Sequence, residues 1–221
     1  MSTIVSIEGN IGSGKSTLVE RLRNSLPSDK FTFLQEPVGI WNSLTDSEDN
    51  TILTKFYSDQ KKYAFSFQMM AYISRLVLLK EAIKDNPGKI IITERSVLTD
   101  KHVFAKMLFD DKSIEEINYK IYLMWFDYFI KDIQITHLVY IKTDPGVCAM
   151  RVKKRNRNGE HISLEYLTRC GEYHDKWINE SECKNFYLDG NTNISESYNF
   201  VDERCIQIKN WVENGTKMKR N

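Results

Sequence analysis

The stretch Gly9-Asn10-Ile11-Gly12-Ser13-Gly14-Lys15-Ser16 decides the fold of this chain. It fits the phosphate-binding pattern G-x-x-x-x-G-K-[ST] and lies between a predicted strand over residues 3–7 and a predicted helix over residues 17–26. Glycines in such a turn let successive backbone N–H groups point at phosphate oxygens, beside the positive end of the helix dipole. The pattern therefore predicts a phosphate-binding loop; the alternative is a glycine- and serine-rich turn that binds nothing.

Two side chains of this loop have predicted roles. Lys15 is expected to reach the β- and γ-phosphates, and the Ser16 hydroxyl is expected to bind Mg²⁺. The loop does not say which molecule accepts the phosphate. The residues of this segment predicted to bind phosphate are Gly9, Asn10, Ile11, Gly12, Ser13, Gly14, Lys15, Ser16 and Thr17.

Length and composition predict a single α/β domain over residues 1–221. The chain is 41% apolar, and its net charge of +1 argues against a general nucleic-acid binder. Its four cysteines form no C-x-x-C pair and have no histidines at zinc spacing, so they are predicted to be reduced thiols. No secretory signal and no apolar run of about 18 residues is visible, which predicts a cytoplasmic protein without a membrane span. A mitochondrial or viral origin stays open.

Short apolar segments alternate with helical patterns along the chain. The other predicted strands cover residues 31–35, 89–93, 137–142 and 186–188, and the other predicted helices cover residues 51–84, 113–131, 145–154, 164–182 and 200–212. Alternation of this kind after a phosphate loop predicts a three-layer α/β fold of the P-loop NTPase type, with a five-stranded parallel sheet and helices on both faces. Active residues are then expected at the carboxyl ends of the strands.

Two predicted strand ends carry carboxylates. Glu36 follows the second strand, and Glu94 with Arg95 follows the third. One carboxylate at such a position is often a helix cap or a solvated loop residue. Two of them, one joined to an arginine, favour a catalytic edge.

A basic run follows the fourth strand, with five positive charges between Arg151 and Arg157. It could be a solvated helix face, a nucleic-acid patch or a lid over nucleotide phosphates. Arg151 and Arg155 are one helical turn apart and face the same way, and Asn158-Gly159 breaks the helix as a hinge would. A lid over residues 151–163 and a solvated face are equally consistent with this spacing.

Taken together, these pieces resemble the deoxyribonucleoside kinase family from the first strand to at least Trp177. Five motifs carry the resemblance, namely the phosphate loop, Glu36-Pro37 with Trp41, Phe67-Gln68 with Ser74-Arg75, Glu94-Arg95-Ser96 with Asp100, and the lid arginines followed by Leu164-Glu165-Tyr166-Leu167. The resemblance implies transfer of the γ-phosphate of ATP, or of another nucleoside triphosphate, to the 5′-hydroxyl of a deoxyribonucleoside.

The resemblance implies a role for each matching residue at the reacting end. Glu36 would orient the hydroxyl and take its proton late, because the transition state of phosphoryl transfer is loose. Arg95 would hold the reacting oxygens and keep Glu36 ionised. Glu94 and Ser16 would hold Mg²⁺. The lid residues that would neutralise the transferring group are Arg151, Arg155 and Arg157.

It also implies a nucleoside pocket on the long predicted helix. Phe67 and Phe104 would sandwich the base, and Gln68 would bind its edge; the alternative for either aromatic residue alone is ordinary core packing. Ala71 and Arg75 lie on the same helix face as Phe67. Further residues expected around the nucleoside are Trp41 in the cleft, and Tyr57 and Glu160 at the sugar 3′-hydroxyl.

The pair Arg75 and Asp100 predicts base preference. In the family such a pair accompanies cytosine and purine substrates, and it would crowd the space that a 5-methyl group needs. A base that leaves buried polar groups unpaired loses roughly 1–3 kcal/mol per group. Deoxycytidine, deoxyadenosine or deoxyguanosine is therefore expected over thymidine.

Two other functions stay open at this point. A nucleoside monophosphate kinase, such as a dTMP kinase-like enzyme, shares the loop and lid, but its anionic acceptor would favour positive charge where Glu36 stands. A non-catalytic nucleotide-binding accessory subunit would not need the whole catalytic set.

The family resemblance also implies a homodimer. The apolar residues 117–129 could form the contact between the two subunits, although a buried helix would have the same composition.

Overall fold

The computed structural model describes residues 2–157, 160–192 and 198–217. At its centre is a five-stranded sheet whose pairings are all parallel, in the order β2-β3-β1-β4-β5. The strands are β1 Thr3–Gly9, β2 Phe31–Leu34, β3 Ile90–Glu94, β4 His137–Lys142 and β5 Lys184–Asp189. The predicted α/β class and the predicted parallel sheet are confirmed.

Helices cover both faces of the sheet, as predicted. Their bounds are α1 Lys15–Ser25, α2 Val38–Ser43, α3 Ile52–Ser58, α4 Gln60–Asp85, α5 Val97–Thr99, α6 Lys106–Asp110, α7 Glu116–Phe129, α8 Pro145–Arg155, α9 Leu164–Glu180 and α10 Tyr198–Lys217, with a π-helical segment Asp100–Ala105 between α5 and α6. Leucine and valine side chains of α1 and α10 pack on one face of the sheet. Aromatic and leucine side chains of α4, α7 and α9 pack on the other.

The sheet register brings two motifs to one edge. In the pairing of β1 with β3, Ile7 lies opposite Glu94, so the phosphate loop and the Glu94-Arg95 pair begin side by side. On the other side of β1, Gly9 lies opposite Ile141 of β4. Because the carboxyl ends of parallel strands meet at the same edge, the phosphate loop and the Glu94-Arg95 pair lie at the edge where active residues are expected.

The predicted helix over residues 51–84 is wrong as one helix, because the chain breaks at Asp59. Thr51 caps α3 by accepting from the backbone N–H of Thr54, and Asp59 caps α4 by accepting from that of Lys62. The sequence does not reveal this break, because apolar and polar residues are mixed along the whole segment and Asp59 could equally be an exposed residue inside a helix. The break brings Tyr57, at the end of α3, to the cavity described below.

The apolar stripe of α7 faces outward. The spacing of the sequence predicts one apolar stripe of Ile114, Ile117, Ile121, Met124 and Tyr128. Ile117, Met124 and Tyr128 are 57–62% exposed, whereas Ile114, before the helix, is buried and Ile121 is partly buried. The buried face of the helix consists instead of Tyr122 and Phe126, which pack on Tyr72 of α4. The prediction of a regular helix here is confirmed, and its outer face is left apolar.

Other differences from the predicted elements are small. β5 is longer than the predicted strand over residues 186–188, and the helical stretch from Val97 to Asp110 has no counterpart among the predicted elements. The predicted lid includes residues 158 and 159, which lie outside the described residues. Within the described ranges, no helix combines the length and the apolar character that crossing a membrane would require.

Candidate active site

The phosphate loop has the backbone that its glycines predict. Gly14 precedes α1 with a φ of 98°, in the left-handed region, and Gly12 has a φ of 82°. A Cβ atom at Gly12 would lie 2.7 Å from the carbonyl oxygen of Cys148, which no side chain tolerates. Gly14 is therefore needed for its backbone conformation. Gly12 is needed for its conformation and also because the Cys148 carbonyl leaves no room for a side chain.

Lys15 is buried at the base of this loop. Its Nζ atom donates to the carbonyl oxygen of Asn10 at 2.7 Å. Burial and the nearby Arg95 lower the pKa of Lys15 to about 7, against a smaller opposite effect of the carboxylates around it. An anion bound in the loop would strongly stabilise the charged form of this buried amine.

Ser16 and Glu94 meet across the edge of the sheet. The Ser16 hydroxyl donates to Oε1 of Glu94 at 2.6 Å. Both groups offer oxygen, the ligand that Mg²⁺ prefers. No cluster of three or more His, Cys, Asp or Glu side chains that could hold a metal occurs in the part of the chain that the structure describes. A cation here would thus take most of its ligands from water or phosphate.

Glu36 lies between two buried arginines. Its Oε1 atom accepts from Nη1 of Arg95 at 2.7 Å and from Nη2 of Arg75 at 3.2 Å. Burial raises the pKa of Glu36, but the charges of Arg95, Arg75 and Lys15 outweigh it and bring the pKa to about 2. Glu36 is therefore ionised at every pH at which the protein would work.

Arg95 is held in an unusual backbone conformation. Its φ is 57°, in the left-handed region, which a residue with a long side chain adopts at a cost of about 1–3 kcal/mol. Its N–H donates to the carbonyl oxygen of Ile7, and its carbonyl accepts from the Thr93 hydroxyl. The guanidinium lies 5.2 Å from the ring centre of Phe104. These contacts aim the side chain at Glu36.

Arg75 connects Glu36 to Asp100. Its Nε donates to Oδ2 of Asp100 at 3.0 Å, and its Nη1 donates to the carbonyl oxygen of Glu94 at 3.2 Å. Burial raises the pKa of Asp100, while Arg75 opposes this effect. The predicted pair of Arg75 and Asp100 is thus formed, and both side chains are almost fully buried.

These groups line one cavity of about 660 Å³ that runs from the phosphate loop to α4. Gln68 and Ala71 lie on its wall, and Oε1 of Gln68 is buried without a hydrogen-bond partner. An unpaired buried oxygen costs about 1–3 kcal/mol unless a ligand or water supplies a donor. A polar ligand that donates to Gln68 fits this wall.

The aromatic wall includes one residue that the sequence patterns did not single out. Phe67 stacks on Phe56, with ring centres 4.6 Å apart, and meets Trp41 edge-on at 5.7 Å. Phe67 and Phe104 both line the cavity, and their placement on either side of a base stays a prediction. Phe56 is adjacent to the predicted Tyr57, but it belongs to none of the five motifs. Tyr166, from the motif after the lid, also lines the cavity.

The lid arginines have specific partners in this structure. Arg155 donates to both carboxylate oxygens of Glu160, at 2.7 and 2.6 Å. Arg151 donates to the backbone carbonyls of Gly190 and Thr192, so it connects α8 to the loop after β5. Arg157 and Tyr57 line the cavity as well.

Most of the predicted site residues therefore come together, and their roles remain predictions. Thr17 and Ile11 line the cavity with the rest of the loop, whereas Gly9, Asn10 and Ser13 do not. The Asn10 side chain points away from it, donating to the carbonyl oxygen of Leu167 at 2.7 Å and accepting from the N–H of Ile11. Any contact of Asn10 with phosphate would have to use its backbone.

Comparison with known proteins gives matches along nearly the whole chain. A sequence model of the deoxynucleoside kinase family matches residues 5–213. A probable deoxycytidine kinase of fowlpox virus is 36% identical over 91% of this chain and 89% of its own length. The human deoxycytidine kinase is 28% identical, over 92% and 90% of the two chains. A mitochondrial deoxyguanosine kinase of Xenopus laevis is 27% identical, over 79% and 72%.

The charge network predicts a stability effect. Glu36→Gln leaves the buried guanidinium groups of Arg75 and Arg95 facing each other without the carboxylate between them. We expect a loss of about 2 kcal/mol in the free energy of unfolding, less than for a fully buried pair because Glu36 is 15% exposed. Urea denaturation measures the change.

Glu116→Gln is the matched control for this prediction. It removes the same carboxylate from an exposed pair with Lys120, so the urea midpoint should not move. Equal midpoints for Glu36→Gln and Glu116→Gln would show that the two arginines do not depend on Glu36.

Proposed function

The chain belongs to the deoxynucleoside kinase family, and we propose that it transfers the γ-phosphate of ATP to the 5′-hydroxyl of deoxycytidine, deoxyadenosine or deoxyguanosine in preference to thymidine. The observation that carries the base preference is the buried pair of Arg75 and Asp100, in the same cavity as the phosphate loop. Relatives named for deoxycytidine and deoxyguanosine agree with it. We expect residues 1–221 to act as one kinase domain.

Glu36 is the proposed partner of the acceptor hydroxyl. A neutral hydroxyl is a poor nucleophile, and a carboxylate within hydrogen-bond reach orients it. The pKa of about 2 makes Glu36 a weak base, so its proton transfer is expected late, after the bond to the leaving oxygen has weakened. Orientation is thus the larger part of its contribution.

Arg95 is proposed to bind the oxygens of the transferring group while it holds Glu36. Burial lowers its pKa, but the charges of Glu36 and Glu94 and the hydrogen bond to Glu36 together raise it by more, so the guanidinium stays charged. Its Nε is buried without a hydrogen-bond partner, which leaves a donor for a ligand oxygen. Lys15 and the lid residues Arg151, Arg155 and Arg157 would add positive charge around the phosphates.

Mg²⁺ is the proposed metal, held by Ser16 and Glu94. The two oxygen donors are in contact, and the small number of carboxylates suits an ion that keeps several waters and binds substrate phosphates. When bound, Mg²⁺ would neutralise negative charge on the phosphates of ATP.

The nucleoside is proposed to lie between the aromatic wall and Phe104. Gln68 would receive a donor from the base at its unpaired Oε1 atom, which both a cytosine and an adenine amino group can supply. Arg75 and Asp100 would close the end of this slot. Tyr57 and Glu160 are proposed at the sugar 3′-hydroxyl, beside Trp41 and Ala71.

The charges of the site argue against the two other functions. In a nucleoside monophosphate kinase the ionised Glu36 would repel the acceptor phosphate, and an accessory subunit would not need Lys15, Glu36 and Arg95 in one network. A direct test includes the monophosphates, as set out below.

We further propose a homodimer through α7. Its outer face carries Ile117, Met124 and Tyr128, and the neighbouring helix α4 exposes Ile73 and Val77. Apolar side chains exposed together on a globular protein favour a protein contact.

The cellular location of the protein stays a prediction from the sequence, and we propose the cytoplasm. Similar proteins include a viral and a mitochondrial one.

A panel of substrates tests the main proposal. With ATP and Mg²⁺, deoxycytidine or a purine deoxynucleoside should be phosphorylated at least about tenfold more efficiently than thymidine, because one mismatched buried group costs about 1–3 kcal/mol. A coupled assay of ADP release measures kcat/KM for each. Release with a nucleoside monophosphate but with no nucleoside would overturn the proposal.

Replacing the ion pair should move this preference. The double variant Arg75→Met with Asp100→Ala removes both charges together and frees space for a 5-methyl group, so the preference over thymidine should fall by roughly tenfold or more. The control is Lys101→Met with Asp127→Ala, which removes an exposed ion pair outside the cavity and should leave the preference unchanged.

The low pKa of Lys15 predicts that the protein takes up a proton when ATP binds. With a pKa of about 7, roughly nine tenths of Lys15 is neutral near pH 8, and bound ATP should raise the pKa because it brings negative charge. Binding of Mg·ATP near pH 8 should therefore take up about one proton, and this uptake by Lys15 should disappear near pH 6. Calorimetry in two buffers of different ionisation enthalpy measures it.

Lys15→Arg supplies the control, since an arginine stays charged at both pH values. The variant should show no Lys15-dependent uptake near pH 8. An unchanged uptake in Lys15→Arg would assign the proton to another group.

The dimer proposal predicts a monomer after charge is placed on α7. Ile117→Asp with Met124→Asp buries unpaired carboxylates in the proposed contact, so light scattering should report half the mass of the wild type. Ile206→Asp, at a 57% exposed position on α10, is the control and should stay dimeric. A wild type that is monomeric at micromolar concentration contradicts the proposal.

A further inference from the structure

We propose that Glu8 is a positioning residue that sets the placement of Arg95 and Asp100 relative to the phosphate loop, acting through the hydroxyls of Ser96 and Thr99. The inference rests on the proposed function, because the residues that Glu8 would position are those proposed to act on the phosphate and the base. Glu8 does not itself line the cavity.

Glu8 is fully buried, and its carboxylate accepts hydrogen bonds from three hydroxyl groups. Its Oε1 accepts from Ser6 at 2.5 Å and from Ser96 at 3.0 Å, and its Oε2 accepts from Thr99 at 2.5 Å. A buried carboxylate is costly, and three donors aimed at it are needed to offset that cost. These hydrogen bonds therefore constrain the positions of the chain segments that carry the three hydroxyl groups.

The donors belong to two different parts of the chain. Ser6 lies on β1 with Glu8, so its hydrogen bond is local. Ser96 and Thr99 lie 88 and 91 residues away along the chain, Ser96 as the residue before α5 and Thr99 as the last residue of α5. Two of the three hydrogen bonds therefore join the strand that leads into the phosphate loop to the segment after β3.

Arg95 and Asp100 lie at the two ends of the segment that carries Ser96 and Thr99. Ser96 directly follows Arg95, and Thr99 directly precedes Asp100. The Thr99 hydroxyl also accepts from the N–H of Ser96 at 3.3 Å, so the same oxygen closes the first turn of α5 and contacts Glu8. Movement of either hydroxyl would change where Arg95 or Asp100 points.

Arg95 needs such support because its backbone is strained. A positive φ at an arginine persists only where the surroundings determine it on both sides. On the amino side, the N–H of Arg95 is held by the carbonyl of Ile7. On the carboxyl side, the hydrogen bond from Ser96 to Glu8 completes the support. Asp100, one residue beyond Thr99, meets Arg75 only if α5 starts in this place.

Thr99→Val and Ser6→Ala form a matched pair for the test. Each removes one buried hydroxyl that lies 2.5 Å from Glu8, but only Thr99 connects Glu8 to the segment with Arg95 and Asp100. Thr99→Val should lower kcat for the preferred deoxynucleoside about tenfold or more, and should reduce its kcat/KM ratio over thymidine several-fold, since small misplacements of reacting groups cost up to about 10² in rate. Ser6→Ala should change both by less than about twofold.

A rescue variant separates positioning from loss of folded protein. Thr99→Ser keeps the hydroxyl and loses a methyl group, so it should restore the ratio over thymidine even if its unfolding midpoint is as low as that of Thr99→Val. A merely structural role lowers the amount of active protein and leaves the ratio between two substrates unchanged. If Thr99→Val does not fold, Ser96→Ala tests the other connecting hydroxyl in the same way.

The outcomes are distinct. An active wild type whose Thr99→Val and Ser96→Ala variants keep both kcat and the ratio overturns the role of Glu8 alone. Equal effects of Ser6→Ala and Thr99→Val also overturn it, because the connection across the sheet would then not matter. A wild type that phosphorylates no deoxynucleoside overturns the proposed function, and this inference with it.

Discussion

The Glu36 carboxylate between two buried guanidinium groups is the interaction on which the rest of the cavity depends. The groups of this network alternate in sign, in the order Asp100, Arg75, Glu36 and Arg95. Burial disfavours the charged form of each of these groups, and a neighbour of opposite sign opposes that effect. The network also connects the two ends of the cavity. Its Asp100 end lies toward the proposed base site and its Arg95 end toward the phosphate loop, so the proposed base preference and the proposed phosphoryl transfer would depend on the same charges.

The parallel sheet explains why these charges meet. Glu36 and Arg95 come from the carboxyl ends of β2 and β3, which are neighbours, and the loop follows β1 on the other side of β3. A parallel sheet places all three ends at one edge, whatever the distance along the chain. Pairing of strands does not by itself aim side chains. The direction of the side chains depends also on the left-handed backbone of Arg95 and the glycines of the loop, and on the proposed role of the hydroxyls around Glu8.

Much of the fold and most of the candidate site could be predicted, because each rests on a local pattern. The loop needs glycine at fixed positions, and buried parallel strands such as β4 need apolar residues on both faces. The prediction of one long helix was wrong because Asp59 is acceptable both inside a helix and as its cap. The apolar residues 117–129 left a core helix and a dimer contact open, and it took the structure to show that Ile117 and Met124 are exposed. Asn10 shows the same limit, since a loop motif assigns the backbone and not the direction of a side chain.

The sequence by itself determined the pattern of a phosphate loop, two carboxylates at strand ends and a basic run after the fourth strand. These follow from residue type and short spacing, which do not depend on the rest of the chain. The lid and the nucleoside pocket are implied by the resemblance of five motifs to a family. Only the tertiary structure decided that Glu36 lies between Arg75 and Arg95, that Phe56 lies behind Phe67, and that Glu8 contacts Thr99. The physical reason is that these contacts join residues from separate elements, and their distances are set by sheet register and helix packing rather than by separation along the chain.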